Sequence, residues 1–443
     1  MQLYKNQEIW WRVLFNKIKT NKGLIKYFKN TSWLLGEKIL RLFLGMFVTV
    51  WVARYLGPEQ FGLFSYAQSF AAIFAIAATL GLTNILIRDI VKDGLSRDVL
   101  LGTAFFLKLI GSVLVLLALA VVLNISSNNQ KTNFMILLFA SATIFQSFNV
   151  IDFYFQSQVL SRYSVYANAV ALSLSSMVKI WLILNGATLI SFVYVVIFDS
   201  LVLAAGFVYF YNKVGLSIRL WRFSKDEAIR LLKDSWPLIF SGIVITIYMK
   251  IDQVMIQNML SSEQVGQYSA AAKLSEAWYF IPIVIVSSLF PAIINAKKKS
   301  EKLYYLRLRR LYSLMIWAAI LLALPITFFS NFVINVIYGE KYLYAGNVLM
   351  IHIWAAVFVF IGVASGKWLI NENLQKYSMI NTTIGAVVNI LLNYVLIKKI
   401  GIEGAAWSTL ISYFVASYLS LAIFNKTRIN FINISKSLFF IRN

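Results

Sequence analysis

The chain has no cysteine, one histidine and only 18 acidic residues in 443 positions. Lack of cysteine excludes disulfides and thiol chemistry. The lone histidine, His352, stands among apolar residues and reads as a packed or interfacial side chain rather than a proton relay. No group of residues has metal-ligand spacing, and no Gly-rich Lys-Ser/Thr loop could cradle a nucleotide phosphate. ATP is therefore not the direct energy source, and no cofactor is expected. Long hydrophilic stretches are also missing. The longest outward loop, near residues 330–345, is too short to carry the catalytic groups of a membrane-embedded polymerase or glycosyltransferase.

What is present is apolar length. Hydrophobic residues make up 60% of the chain and charged residues 13%. A bilayer crossing needs about 20 mostly apolar residues, and twelve stretches qualify. The first six are 33–53, 66–87, 102–123, 134–152, 163–184 and 188–211. The second six are 237–257, 269–294, 311–329, 346–370, 377–397 and 401–424. A helix satisfies its own backbone groups in lipid, and the ten-residue alternation of a membrane barrel is absent. The expectation is an all-α membrane protein.

The 41 Lys and Arg residues give a net charge of +23. About 29 of them fall in segments on the N-terminal side of the membrane and about 5 on the other, which places both termini in the cytoplasm. The charge is thus a topology signal and not a nucleic-acid footprint. Trp10, Trp11, Leu14 and Ile18 alternate with Arg12, Lys17, Lys19 and Lys22, as in an interfacial amphipathic helix. No signal-peptide cleavage site precedes the first span. Ser224 with Glu227 three residues on has capping-box spacing and predicts a short surface helix before Trp236.

The two halves repeat. Leu56-Gly-Pro-Glu-Gln-Phe-Gly62 aligns with Leu260-Ser-Ser-Glu-Gln-Val-Gly266, 204 positions later. Thr31-Ser-Trp33 aligns with Asp234-Ser-Trp236, and Tyr163-Ser164 and Tyr377-Ser378 open equivalent spans. Six spans per half give the halves the same orientation. They are then two six-helix bundles related by a pseudo-twofold along the membrane normal, with a cavity between them. The expected organisation is a basic tail (1–31), a first bundle (32–211), a cytoplasmic connector (212–236), a second bundle (237–424) and a C-terminal tail (425–443).

Ionisable groups in mid-bilayer are functional candidates by default. Arg41, with Glu37 one turn before it, Lys108, Lys179, Lys250, Lys273 and Lys367 are the basic candidates, alongside Lys38. Asp152, Asp199, Asp252 and Glu276 are the acidic ones. Lys250 and Asp252 are two apart and cannot share a helix face. The basic surplus points to an anionic cargo, because Arg and Lys bind phosphate well. Arg41, Lys250, Lys273, Lys179 and Lys108 are the expected substrate-binding residues. Asp252, Asp199 and Glu276 are candidates for ion coupling.

Several of these residues carry a family resemblance. Lys250-Ile-Asp252-Gln253, Gly266-Gln-Tyr-Ser-Ala-Ala-Ala-Lys273-Leu-Ser-Glu276 and Phe290-Pro291 resemble the O-antigen and capsule repeat-unit flippases. So do Tyr55-Leu-Gly-Pro-Glu-Gln-Phe-Gly62, Gly81-Leu82 with Arg88-Asp89, and Asn389 with Gly401-Ile-Glu-Gly404. The similarity covers about residues 30–425 and belongs to the polysaccharide branch of the multidrug/oligosaccharidyl-lipid/polysaccharide exporters. It implies a non-enzymatic flippase of the bacterial cytoplasmic membrane. The implied cargo is an oligosaccharide on undecaprenyl diphosphate, moved by alternating access, and the implied partners are the polysaccharide polymerase and chain-length machinery. A cation-coupled multidrug exporter would share the architecture, but its site should be net acidic.

Overall fold

A computed structural model describes residues 22–92, 96–126 and 128–438. The amphipathic anchor expected at Trp10, Trp11, Leu14 and Ile18 lies outside them. The helices are α1 (Lys22–Ala78), α2 (Thr83–Lys92), α3 (Arg97–Ile125), α4 (Gln130–Gln146), α5 (Val150–Ser157), α6 (Ser161–Leu184), α7 (Leu189–Lys213) and α8 (Lys225–Met259). They continue as α9 (Ser262–Glu276), α10 (Phe280–Lys297), α11 (Glu301–Tyr338), α12 (Ala345–His352), α13 (Ala355–Asn371), α14 (Gln375–Phe414), α15 (Ser420–Ile423) and α16 (Asn425–Leu438). No strand occurs among the described residues.

Among the described residues, ten helical stretches are long and apolar enough to cross a membrane. Two of them, Gly36–Lys92 and Gln375–Ile423, are 57 and 49 residues long. Each is therefore a pair of crossings, broken where a glycine takes positive φ: Gly57 at 72° and Gly401 at 64°. Only glycine reaches such angles without a Cβ clash. Pro58 follows Gly57 as the first residue of the next helical run, where its missing N–H costs nothing.

Several boundaries differ from expectation. The second and eighth crossings start at Pro58 and Ser262, earlier than the expected Tyr66 and Ser269, because the polar Glu-Gln pairs are first-turn residues and not loop. Ser261 caps α9 by accepting from the Gln264 N–H at 3.3 Å. Ser224 caps α8 in the same way through Glu227 at 3.4 Å, but that helix runs through Pro237 without stopping. The expected surface helix is the first third of a crossing. Residues 425–438, expected as a tail, form α16.

Two compact units emerge. Among the described residues, the first comprises 22–49, 78–92, 96–118 and 140–238. Its core gathers Leu82, Leu86, Leu101, Ile151, Phe155 and Tyr211, all essentially inaccessible. At one end, Asp89 of α2 accepts from Arg88 at 2.7 Å and from Arg230 of α8 at 2.8 Å. Arg230 also holds Glu227, and Arg88 reaches Asp234 at 3.3 Å. Charges that would be solitary on single helices become a clamp between α2 and α8.

The second unit comprises, among the described residues, 50–77, 119–126, 128–139 and 239–438. Tyr304, Tyr312, Met315, Phe360 and Trp368 fill its core between α11 and α13. The underside of α16 is polar and bonded: Asn430 accepts from the Tyr312 hydroxyl at 2.7 Å and donates to Ser365 at 2.9 Å, while Asn433 accepts from Arg309 at 2.7 Å. Glu372, between α13 and α14, accepts from Lys297 at 2.7 Å, Tyr304 at 2.8 Å and Asn371 at 3.0 Å. Burial pushes its carboxyl up, but these three donors outweigh burial and hold it below the usual range. Leu321, Phe328 and Phe332 point outward. In a bilayer such residues meet lipid, and helix association rests on close packing of small residues instead.

Candidate functional site

Asp252 lies in the second unit on the last quarter of α8 and is 4% exposed. Its carboxylate accepts from the hydroxyls of Tyr268 (α9) and Thr409 (α14), each at 2.6 Å, and from the Asn393 amide (α14) at 2.6 Å. Asn393 also donates to Asn389 at 3.1 Å, and Asn389 donates to Ser412 at 3.4 Å. Next to Asp252, Gln253 is held by the Ser69 hydroxyl. All three donors to Asp252 are neutral, and no ion pair to Asp252 forms among the described residues. The Oδ1 of Asn393 is buried and has no partner. His352, buried as expected, sets its ring edge-on to Tyr268 at 5.9 Å.

Burying a carboxylate in a low-dielectric surrounding is costly unless it is hydrogen-bonded, and the three donors offset part of that cost at Asp252. Here the neighbours are oxygen-rich side chains, which suit a hard cation. Asp252 was legible as a candidate from its position within a span. Tyr268, Asn393 and Thr409 were not singled out. The one available signal was the Asn389/Asn393 spacing, which puts two amides on one face of an apolar helix.

The repeat-equivalent glycines meet in the same unit. A Cβ on Gly62 would lie 1.7 Å from the Ser262 carbonyl oxygen, and one on Gly266 would lie 1.9 Å from that of Pro58. The backbones of α1 and α9 therefore cross with nothing between them. Around this crossing, the Tyr342 hydroxyl donates to the Ala53 carbonyl at 2.8 Å and Arg54 to that of Val336 at 3.0 Å. Gln267 donates to Lys341 at 2.8 Å and accepts from Ala345 at 3.1 Å. Turns that join different crossings are thus tied together at one end of the unit.

The expected cations have varied surroundings. Arg41 bonds Glu37 at 2.8 Å and Asn168 at 2.7 Å in the first unit, and its side chain stays half exposed. Lys108 is buried, donates to the Gln146 carbonyl at 3.1 Å and lies over Phe153 at 5.3 Å. Lys179 and Asp199, on α6 and α7, attract one another. In the second unit, Lys273 is half-buried over the Phe61 ring at 4.6 Å. Lys250 is half-buried, and no ion pair to it forms among the described residues. Glu276 is half-buried one turn beyond Lys273.

A cavity of about 780 Å³ in the second unit runs between α11, α13, α14 and α16. Ile316, Met350, Trp354, Phe358, Trp407 and Phe414 are among its lining, and Thr327 and the Tyr418 hydroxyl are its few polar side-chain groups. Its wall includes a π-helical turn, Val415–Leu419. Such turns are rare and concentrate at functional sites. There it stacks Phe414 on Tyr418 at 5.6 Å, with Phe358 against Phe414 at 5.1 Å.

Twelve crossings among the described residues define a polytopic, all-α membrane fold. Solved structures agree. The chain superposes on "Lipid II flippase MurJ, inward closed conformation" with a TM-score of 0.68 at 16% identity, covering 94% of each chain. It superposes on an inward-facing multidrug resistance MATE family transporter of the MOP superfamily with a TM-score of 0.66 at 15% identity, covering 89% of this chain and 95% of that one. The fold is therefore the all-α, two-lobe, twelve-helix architecture expected from the sequence.

The family described as "Polysaccharide biosynthesis protein" matches residues 27–297, more than half of the chain, and the protein belongs to it. The MatE family matches residues 237–395. A relative from Haloferax volcanii, named "Probable low-salt glycan biosynthesis flippase Agl15", is 24% identical over 83% of this chain and 77% of its own length. A second from the same organism, named "Probable flippase AglR", is 24% identical over 87% of this chain and 81% of its own.

Proposed function

We propose that this protein is a flippase for a lipid-linked oligosaccharide. It carries a glycan repeat unit on a polyisoprenoid diphosphate, undecaprenyl in a bacterial host, from the cytoplasmic to the outer leaflet, coupled to one monovalent cation or proton at Asp252. The observation that carries this reading is the apolar groove of the second unit. Its lining residues from Trp407 to Tyr418 span about 16 Å at the rise of a helix, roughly half the hydrocarbon core. A site for a wholly polar cargo would have no use for it, whereas a cargo with a long hydrocarbon tail does. The relative named a glycan biosynthesis flippase supports a glycan cargo, and both named flippases support the transport role.

Lys250 and Lys273 are the cations offered to the diphosphate. Lys250 is the stronger of the two, because no carboxylate among the described residues pairs with it. Arg41 reaches Glu37 and Asn168, so its charge is partly met already. Both termini are cytoplasmic in this reading, and the crossing at Gly62 and Gly266 then closes the outer side. The MatE match favours multidrug export as the second reading. It would show as accumulation of a cationic dye in vesicles.

The test in cells is depletion of the protein. Lipid-linked glycan should accumulate in a form that an impermeant periodate treatment of intact cells does not oxidise. Accumulation in the oxidisable, outward-facing pool would place the defect after transport and contradict the reading.

A further inference from the structure

A second, smaller cavity in the same unit is built differently. It holds about 260 Å³ and is lined by Tyr248, Ser365, Ser378, Asn381, Thr382 and Ser417, among others. None of its lining residues is charged. Asn381 is 4% exposed, and its Oδ1 is buried without a partner. Most of the wall is apolar, and its polar part gathers the hydroxyls of Ser378, Thr382 and Ser417 beside Asn381, a setting in which water finds partners. The volume would take roughly 8 molecules at about 30 Å³ each.

The cavity also lies in line with Asp252. Along α14, Ser378, Asn381, Thr382, Gly385, Asn389 and Asn393 recur at three- and four-residue steps, which puts them on one helix face. The last two are the amides that reach Asp252. From α8, Tyr248 lines the cavity one turn before Asp252, and its ring meets Tyr413 at 4.8 Å. From the second half of α14, Tyr413 lies one turn beyond Thr409, the hydroxyl donor to Asp252. Along α14 between the cavity residues and Asn389, Gly385 packs closely against Ser412 and Ala416. A Cβ on Gly385 would lie 2.6 Å from that of Ala416 and 3.3 Å from the Ser412 carbonyl oxygen. Past it, Asn389, Ser412 and Asn393 hand the hydrogen-bonded path on to Asp252.

We infer that this cavity is the aqueous vestibule through which the coupling ion exchanges between Asp252 and the cytoplasmic side, with Gly385 as the constriction. The inference rests on the reading of Asp252 as the ion site. The ligand is a small monovalent cation, Na⁺ or H⁺, accompanied by water. The side follows from the chain: Ser378 is four residues into α14, at the end where α13 and α14 join, which is cytoplasmic when the termini are. With the outer end closed at Gly62 and Gly266, this route serves loading and release in the inward state.

The absence of cysteine makes the test direct. Ser378→Cys, Thr382→Cys and Ser417→Cys variants of the full chain are placed in inside-out membrane vesicles and treated with a cationic, membrane-impermeant methanethiosulfonate. Leu391→Cys, on an exposed face of α14, is the lipid-facing control. All three cavity positions should label from the cytoplasmic face, at least about tenfold faster than the control. In reconstituted vesicles, labelled Ser417→Cys should slow either ²²Na⁺ exchange or decay of an imposed pH gradient by about tenfold, and which one slows identifies the ion. No labelling, labelling only from the opposite face, or full labelling with both fluxes unchanged would overturn the inference. Asp252→Asn, measured alongside, separates the two claims. If it leaves both fluxes intact, the ion-site reading fails; if it abolishes them while Ser417→Cys labelling has no effect, only the vestibule fails.

Discussion

Asp252→Asn should leave the protein folded and at normal level in the membrane, yet abolish ion-driven accumulation of cargo. Asparagine keeps the shape of the side chain and one oxygen to accept from Tyr268 and Thr409, and its new N–H₂ faces Asn393, whose amide turns to offer the oxygen that has no partner in the native site. What it removes is the negative charge that takes up the ion. One charge moved through 100 mV carries about 2.3 kcal/mol, equivalent to an accumulation ratio of roughly 50-fold. That ratio should fall to about 1 in vesicles with an imposed ion gradient. Asp252→Ala is a poorer test, because it strands three buried donors at about 1–3 kcal/mol each and lowers protein level for structural reasons. Accumulation that survives Asp252→Asn would move the coupling site elsewhere, with Asp199 and Glu276 next in line.

The second large effect is expected at the glycine crossing. Gly62→Ala and Gly266→Ala each place a methyl group within 2 Å of a facing backbone carbonyl oxygen, at 1.7 and 1.9 Å. Backbone cannot rotate aside as a side chain can, so α1 and α9 must part. Overpacking of this kind costs about 1–3 kcal/mol, which biases the molecule against the closed end by roughly 5- to 150-fold. Because both substitutions act on one crossing, the double variant should be little worse than either single one. The readout is modification of Ser65→Cys, buried beside the crossing, by an impermeant thiol reagent added outside. Its rate should rise at least tenfold in each alanine variant. Unchanged rates, or strictly additive effects in the double variant, would show that the two glycines do not form one gate.

Much of this was legible in the sequence because lipid imposes simple rules. Twelve apolar stretches had to be helices, and a lone acid such as Asp252 had to be satisfied or used. The repeat was visible at Gly62 and Gly266, but its purpose was not. Sequence identity at equivalent positions says nothing of contact, and only the structure brings the two glycines against each other. The Asp252 donors were missed for a similar reason. Tyr268 and Thr409 are ordinary residues in apolar helices, 16 and 157 positions from the acid, and their role comes from how α8, α9 and α14 pack. Helix starts at Pro58 and Ser262 were read late because first-turn Glu-Gln pairs look like loop. The continuity of α8 through Pro237 was hidden because proline is expected to end helices, yet here the helix passes through it.

Transport itself is measured by reconstituting the purified protein in vesicles that carry an oligosaccharide on a polyisoprenoid diphosphate. An impermeant lectin or periodate then measures how much of the glycan faces outward over time. Glycan starting on one leaflet should reach the other with the protein and not in empty vesicles. An ion gradient should drive the distribution past equality, and Asp252→Asn should remove the drive. No movement above empty vesicles, in protein that retains its fold and its ion flux, would contradict the flippase reading.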